Sequence, residues 1–353
     1  MRSIRTPLLG IAVLVSVGVT PPHSVQAAAS CANSLYSVLD LGAAFIGFDV
    51  SGISGSLNDR GQVAGYVLGS NPTADAAVYT NGKVTLLGTL GGSFSYALGI
   101  NNSDKIVGVA YLSGDSTVQA ARFSTTGPPV DLGTLGGSTS AATAVNNAGI
   151  IVGAANLPGD IATHAARFSD HGPVDLGTLG GSFSAANAVN EYGDAVGTAQ
   201  LSGNITLHAA LFPHDGGSPI DLGTLGGASA ANGINAGGFA VGYSGPFGGQ
   251  VHATVFMSWA APIDLGGAQS EARAINQAGD IVGYATFGGT HHAALWKSIG
   301  GTWALTDVNS LIDPSSGWTI DSAWAINDAG TIEAFGHQSD LQAHTLLLVS
   351  CTQ

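Results

Sequence analysis

One unit recurs seven times along this chain. Its marker is an Asn that closes a short apolar run, usually followed by a glycine turn and an Ile/Val-rich run: Asn58, Asn101, Asn146, Asn190, Asn235, Asn276 and Asn327. Successive markers lie 43, 45, 44, 45, 41 and 51 residues apart. A unit of about 40–50 residues made of short strands cannot bury its apolar face alone, but copies arranged around an axis can. The period therefore predicts an all-β fold, a seven-bladed β-propeller of four-stranded antiparallel blades.

The fourth copy shows the strands most clearly. Ala188-Val189-Asn190 ends a first strand and Glu191-Tyr192-Gly193 turns the chain, with Gly193 free to take positive φ. Asp194 to Gly197 opens a second strand, His208 to Phe212 forms a third, and Pro219 to Gly223 a fourth. Strands of 4–6 residues punctuated by Gly, Pro and Asn read as a meander. Apolar spacing at helical period is absent, so essentially no helix is expected. A small residue, Ala97, Ala142, Ala186, Ala231, Ala272 or Ala323, stands four before six of the markers. This predicts a crowded, innermost first strand.

The two ends complement one another. The last copy stops after its third strand at Cys351, while Tyr36 to Gly42 matches a fourth strand with no predecessor. The N-terminal strand is thus expected to complete the seventh blade and to remove an exposed sheet edge. Cys31 and Cys351 are the only cysteines and flank these strands, which predicts a disulfide in an exported protein.

Export itself is read from residues 1–27. Arg2 and Arg5 precede the short apolar run Leu8 to Val19, and Val25-Gln26-Ala27 supplies a small-residue cleavage pattern. Residues 28–353 then form a single domain, secreted to the periplasm or beyond. No apolar run reaches the roughly 20 residues of a membrane span, so no insertion is expected. Without the two leader arginines, 7 Lys and Arg face 23 Asp and Glu, a net charge of −16. That surface repels phosphate backbones, which argues against nucleic-acid partners and favours a soluble monomer.

The block Asp131 to Ser138, then Ala144-Val145-Asn146, Gly149, Val152-Gly153 and His164 to Phe168, resembles the extracellular HAF-repeat family of bacterial proteins. The resemblance covers about residues 36–348. It implies a secreted repeat protein and carries no activity.

Repeated polar residues invite a site but read better as structure. His164, His208, His252, His292 and His344 each open a third strand, and Asp40, Asp131, Asp175, Asp221 and Asp264 each precede a Gly loop. Equivalent positions on neighbouring blades are too far apart to share a metal at about 2.1 Å. Each His is therefore expected to bond a loop carbonyl or the Asp of its blade, and each Asp to pin a turn. No nucleophile elbow, HExxH or CxxC motif occurs, so no metal, cofactor or catalytic residue is assigned.

A site for one ligand needs something the copies do not share. Blade seven carries the insert Asn309 to Ser322, with Trp318 and Asp321, then Trp324 and Glu333; blade six carries Glu271 and Arg273. Arg273 offers charge, Trp318 and Trp324 stacking surfaces for sugar rings, and Asp321 and Glu333 acceptors. The expectation is non-catalytic binding of an extracellular glycan or protein at the seam of blades six and seven. The alternatives are an extracellular polysaccharide-acting enzyme, lyase or hydrolase, and a structural surface protein.

Overall fold

The computed structural model describes residues 31, 34–47, 56–69, 73–204, 206–246 and 249–351. The expected leader and its cleavage site lie outside the described residues. Among the described residues there are 28 strands, no α-helix and three 3-10 turns, at Pro158–Asp160, Val308–Leu311 and Pro314–Ser316. The strands form three four-stranded and two eight-stranded sheets. Each eight-stranded sheet is two antiparallel meanders joined by one parallel pairing, Ala74 with Phe94 or Thr163 with Phe183. Among the described residues no helix is long and apolar enough to cross a membrane.

The fourth repeat comprises Gly180–Val189, Ala195–Leu201, Leu207–Phe212 and Ile220–Asp221. Gly193 sits in the first turn at φ 94°. The fourth strand is shorter than the sequence implies, only two residues. Pro219 before it has no N–H to donate. After it, Asp221 Oδ1 accepts the Gly223 N–H at 2.8 Å and bends the chain away.

The first strands of successive repeats touch one another, so they gather at the centre. There the marker Asn does two jobs. Its Oδ1 accepts backbone N–H groups of its own turn: Asn190 Oδ1 takes those of Tyr192 at 3.1 Å and Asp194 at 2.9 Å. In six of the seven copies its Nδ2 donates to the backbone carbonyl of the next marker. Asn58 reaches Asn101, Asn101 reaches Asn146, and Asn146 reaches Asn190, at 3.1, 2.8 and 2.8 Å. Asn235 reaches Asn276 at 3.3 Å and Asn276 reaches Asn327 at 3.2 Å. Asn327 then donates to Asn58 at 3.0 Å, across 269 residues of chain, and brings the two ends of the series together.

In the second to sixth repeats the Ala four before the marker pairs with the Gly of the Val-Gly dipeptide on the second strand, as Ala272 does with Gly283, and in the seventh Ala323 pairs with Ala334. A β-bulge follows at once, leaving the next residue out of register. At Gly283 a Cβ would stand 1.9 Å from the carbonyl oxygen of Glu271, whereas the seventh repeat forms its bulge opposite Ala334. Small residues here thus answer the close approach of two strands.

Burial is layered between repeats. One cluster joins Ala144, Val152 and Ala165 of the third repeat to Ala186, Ala195, Ala210 and Phe212 of the fourth. Another joins Phe45, Leu57, Val63 and Tyr79 of the first to Ala325 and Leu347 of the seventh. The N-terminal strand Tyr36–Asp40 pairs antiparallel with Ala343–Ser350, from Tyr36 opposite Ser350 to Asp40 opposite Leu346. Cys31 and Cys351 are disulfide-bonded, with Cα atoms 5.7 Å apart.

Two outcomes follow. Asn146→Ala removes one of two donors to the Asn190 carbonyl, which keeps the Gly193 N–H, and leaves the Ile150 N–H without its partner; it should destabilise the chain by about 1–2 kcal/mol in urea titration. Cys351→Ser should lower stability by on the order of 4–5 kcal/mol, because the bond closes a 320-residue separation in the unfolded chain.

Candidate active site

The bulged residue of each first strand lies beside the unpaired edge of the next repeat's first strand. In three repeats it hands a polar group to that edge. Thr143 Oγ1 donates to the Ala186 carbonyl at 2.7 Å, Asn187 Nδ2 to Ala231 at 2.9 Å, and Asn232 Nδ2 to Ala272 at 3.0 Å. In the sixth repeat this position is Arg273, and in the seventh Trp324.

Arg273 lays its guanidinium against the Trp324 ring, 3.8 Å from the centroid, with the Tyr284 ring 5.5 Å away on another side. This is cation–π geometry, strong where water is largely excluded. The Arg273 side chain is 11% exposed and that of Glu271 14%. Nη2 stands 3.6 Å from Glu271 Oε1, an ion pair beyond hydrogen-bond length. Nε and Nη1 are buried and have no hydrogen-bond partner among the described residues.

Glu271 is held from two other sides. Tyr284 Oη donates to its Oε2 at 3.2 Å, and Asn232 Nδ2 to its Oε1 at 3.0 Å. Tyr284 faces Glu271 because the two are cross-strand partners. Burial, and then the Glu271 charge, push the Tyr284 hydroxyl up to about 12. Tyr243 is raised for the same two reasons, burial first. The cluster therefore joins a cation with spare donors to a carboxylate and a phenol that stays protonated at neutral pH. Such a pair can accept and deliver protons.

Of the residues singled out from sequence, the fold brings Glu271, Arg273 and Trp324 together and places Trp318, Asp321 and Glu333 elsewhere. Trp318 packs edge-on against His344 at 5.3 Å. Asp321 bonds His337 Nδ1 at 2.8 Å. The insert carrying Trp318 is tied down by Asn309, whose amide bonds both the N–H and the carbonyl of Ile320. Glu333 occupies the place of the valines of other repeats and is 1% exposed, between the seventh and first repeats. Its Oε2 accepts from Ser56 Oγ. Tyr284, Tyr243 and Asn232 were not singled out. Aligning the copies on Val-Gly does flag the residue that follows: Tyr66, Val109, Ala154, Thr198, Tyr243, Tyr284 and Phe335.

In five repeats the repeated His pairs with an Asp. Nδ1 of His164, His208, His252, His292 and His344 lies 2.7–2.9 Å from a carboxylate oxygen of Asp175, Asp221, Asp264, Asp307 and Asp40, respectively. Most of these Asp also accept the N–H two residues on, as Asp175 does from Gly177 at 2.7 Å. The last pair uses Asp40 of the N-terminal strand, so it also fastens the two ends. Among the described residues no three His, Cys, Asp or Glu side chains form a group suited to a metal ion.

No protein-family model matches the chain, and no curated protein matches it. Among solved structures it is similar to a gluconolactonase from Xanthomonas campestris, at 10% identity and TM-score 0.42, over 94% of this chain and 95% of that one. That neighbour is an enzyme, which runs against the expectation of non-catalytic binding, and the expectation is corrected accordingly. At this TM-score the likeness brings no activity to the chain; the chemistry rests on the cluster's own groups.

Burial pushes the Glu333 carboxyl up to about 8 from its ordinary 4.5, against the lowering effect of the Ser56 hydrogen bond. A raised carboxyl favours the folded state least when the unfolded one ionises. Stability is fully present below pH about 4.5 and falls as pH rises to about 8, by at most about 1.4 kcal/mol per pH unit. Glu333→Gln should flatten that decline. Melting temperatures taken from pH 4 to 9 check it, and parallel curves for the two proteins would refute it.

Proposed function

We propose that this chain is a secreted seven-bladed β-propeller of the HAF-repeat kind, and that it is an enzyme acting on an extracellular polysaccharide. The linked Asn markers, the N-terminal strand paired with the last repeat and the disulfide between the ends support the closed, exported ring. The step to catalysis rests on the cluster at the bulges of the fifth to seventh repeats. A buried polar cluster costs folding energy, and the first strands of the second to fourth repeats have Tyr96, Ala141 and Ala185 where the sixth has Glu271.

One observation carries the reading: Glu271 accepts the Tyr284 hydroxyl and the Asn232 amide beside the Arg273 guanidinium. A carboxylate held in place and coupled to a protonated phenol is a proton-transfer pair. Ligand contact by Trp318, Asp321 and Glu333 is not part of this reading, since each is engaged away from the cluster.

The test is cleavage of a panel of neutral and acidic polysaccharides by the purified protein, read as new reducing ends. At least one should be cut, and Glu271→Gln should lower kcat/KM by about 10²–10⁴-fold while the protein melts within a few degrees of wild type. Unreduced activity in Glu271→Gln, or no cleavage across the panel, would overturn the reading.

A further inference from the structure

Thr143, Asn187 and Asn232 form a relay in which each bulged side chain donates to a carbonyl of the next first strand. The relay ends at Arg273. Its neighbour offers it an indole face, and Nε and Nη1 stay buried without partners among the described residues. Glu271 balances part of the charge from 3.6 Å without a hydrogen bond to Arg273, its two oxygens accepting from Tyr284 and Asn232 instead. A guanidinium with unmatched buried donors is costly until an anion supplies acceptors, and planar oxyanions match its donors best.

Taking the polysaccharide reading above as its premise, we infer that the reacting sugar carries a carboxylate held by Arg273, and that the glycosidic bond is broken by β-elimination. Glycoside hydrolysis ordinarily uses two carboxyl groups flanking the bond, and the cluster contains one, Glu271. Elimination next to a carboxylate needs other parts: a cation to neutralise the substrate's carboxylate, a base and an acid. Arg273, Glu271 and Tyr284 supply them in that order.

The step balances without water, oxidant or metal. Glu271 takes the proton from the ring carbon bearing the carboxylate. That electron pair forms a carbon–carbon double bond to the neighbouring ring carbon, whose bond to the glycosidic oxygen breaks. The departing oxygen takes the Tyr284 proton. Glu271 then returns its proton to the Tyr284 phenolate along their 3.2 Å contact, which restores the site. Arg273 acts by delocalising the charge that builds on the carboxylate as the proton leaves. The net charge of −14 opposes the approach of polyanions, so the acid is recognised at contact range rather than by steering.

The experiment uses the full chain with oligogalacturonate, oligoglucuronate and oligomannuronate, and with neutral oligosaccharides of the same linkages. New reducing ends and the ultraviolet absorbance of an unsaturated uronate are read together, alongside thermal shift with each monosaccharide uronate. At least one uronate series should yield both signals in equal amounts, with neutral oligomers inert. Arg273→Gln should raise KM by about 10–100-fold and abolish the uronate-induced thermal shift, with Arg273→Lys intermediate. New ends without absorbance would overturn elimination while leaving a hydrolase. Equal cleavage of neutral and acidic oligomers would overturn the carboxylate while leaving the enzyme reading. Should no oligomer be cut, that reading fails, and a uronate shift absent in wild type would also overturn the Arg273 receptor. If Arg273→Gln does not fold, the wild-type comparison of ends with absorbance decides alone.

Discussion

The fold depends on a buried amide. Each marker Asn accepts N–H groups of its own turn through Oδ1, and six of the seven also donate through Nδ2 to the corresponding carbonyl of the next repeat, as Asn101 does. Only a carboxamide does both, because it carries acceptor and donor a fixed distance apart. Asp would lack the donor, and Ser would be too short to reach. One side chain thus shapes the local turn and sets the spacing between repeats. The link from Asn327 to Asn58 makes the first and seventh repeats neighbours, and the shared cluster of Phe45, Val63, Ala325 and Leu347 fills the contact.

Around that centre the backbone is uniform and the side chains are not. The bulge after each small residue, with a Gly facing it in five repeats and Ala334 in the seventh, recurs whatever the bulged residue is. The scaffold therefore tolerates Leu98, Thr143, Asn187, Asn232, Arg273 or Trp324 at one place. Backbone bonds and inter-repeat burial carry the stability, which leaves this position free to vary in chemistry. Arg273, Glu271 and Tyr284 concentrate polarity in one sector of a centre that is elsewhere apolar or self-satisfied. Glu333 is the counterexample: it replaces a core valine at the closing contact, and its environment keeps it protonated rather than reactive.

What the sequence determined by itself is whatever is local or repeated. Period, strand order within a copy, the glycine turn at Gly193, the orphan strand at Tyr36, the Cys31–Cys351 pair and the His–Asp pairs all follow from spacing along the chain, since each involves one repeat or the two ends that complete one. Arg273 and Trp324 were also legible, because both depart from the pattern at the same position of adjacent copies. The tertiary structure alone decided what touches across repeats. Trp318 and Asp321 are as unusual in sequence as Trp324, yet they are spent on His344 and His337, because the insert folds back along its own repeat. Tyr284 and Asn232 look ordinary in sequence and join the cluster only through antiparallel register and the reach of one bulge to the next strand edge. A linear pattern records which residues differ; which differences meet depends on bulge direction and strand register, and those exist only once the sheets have formed.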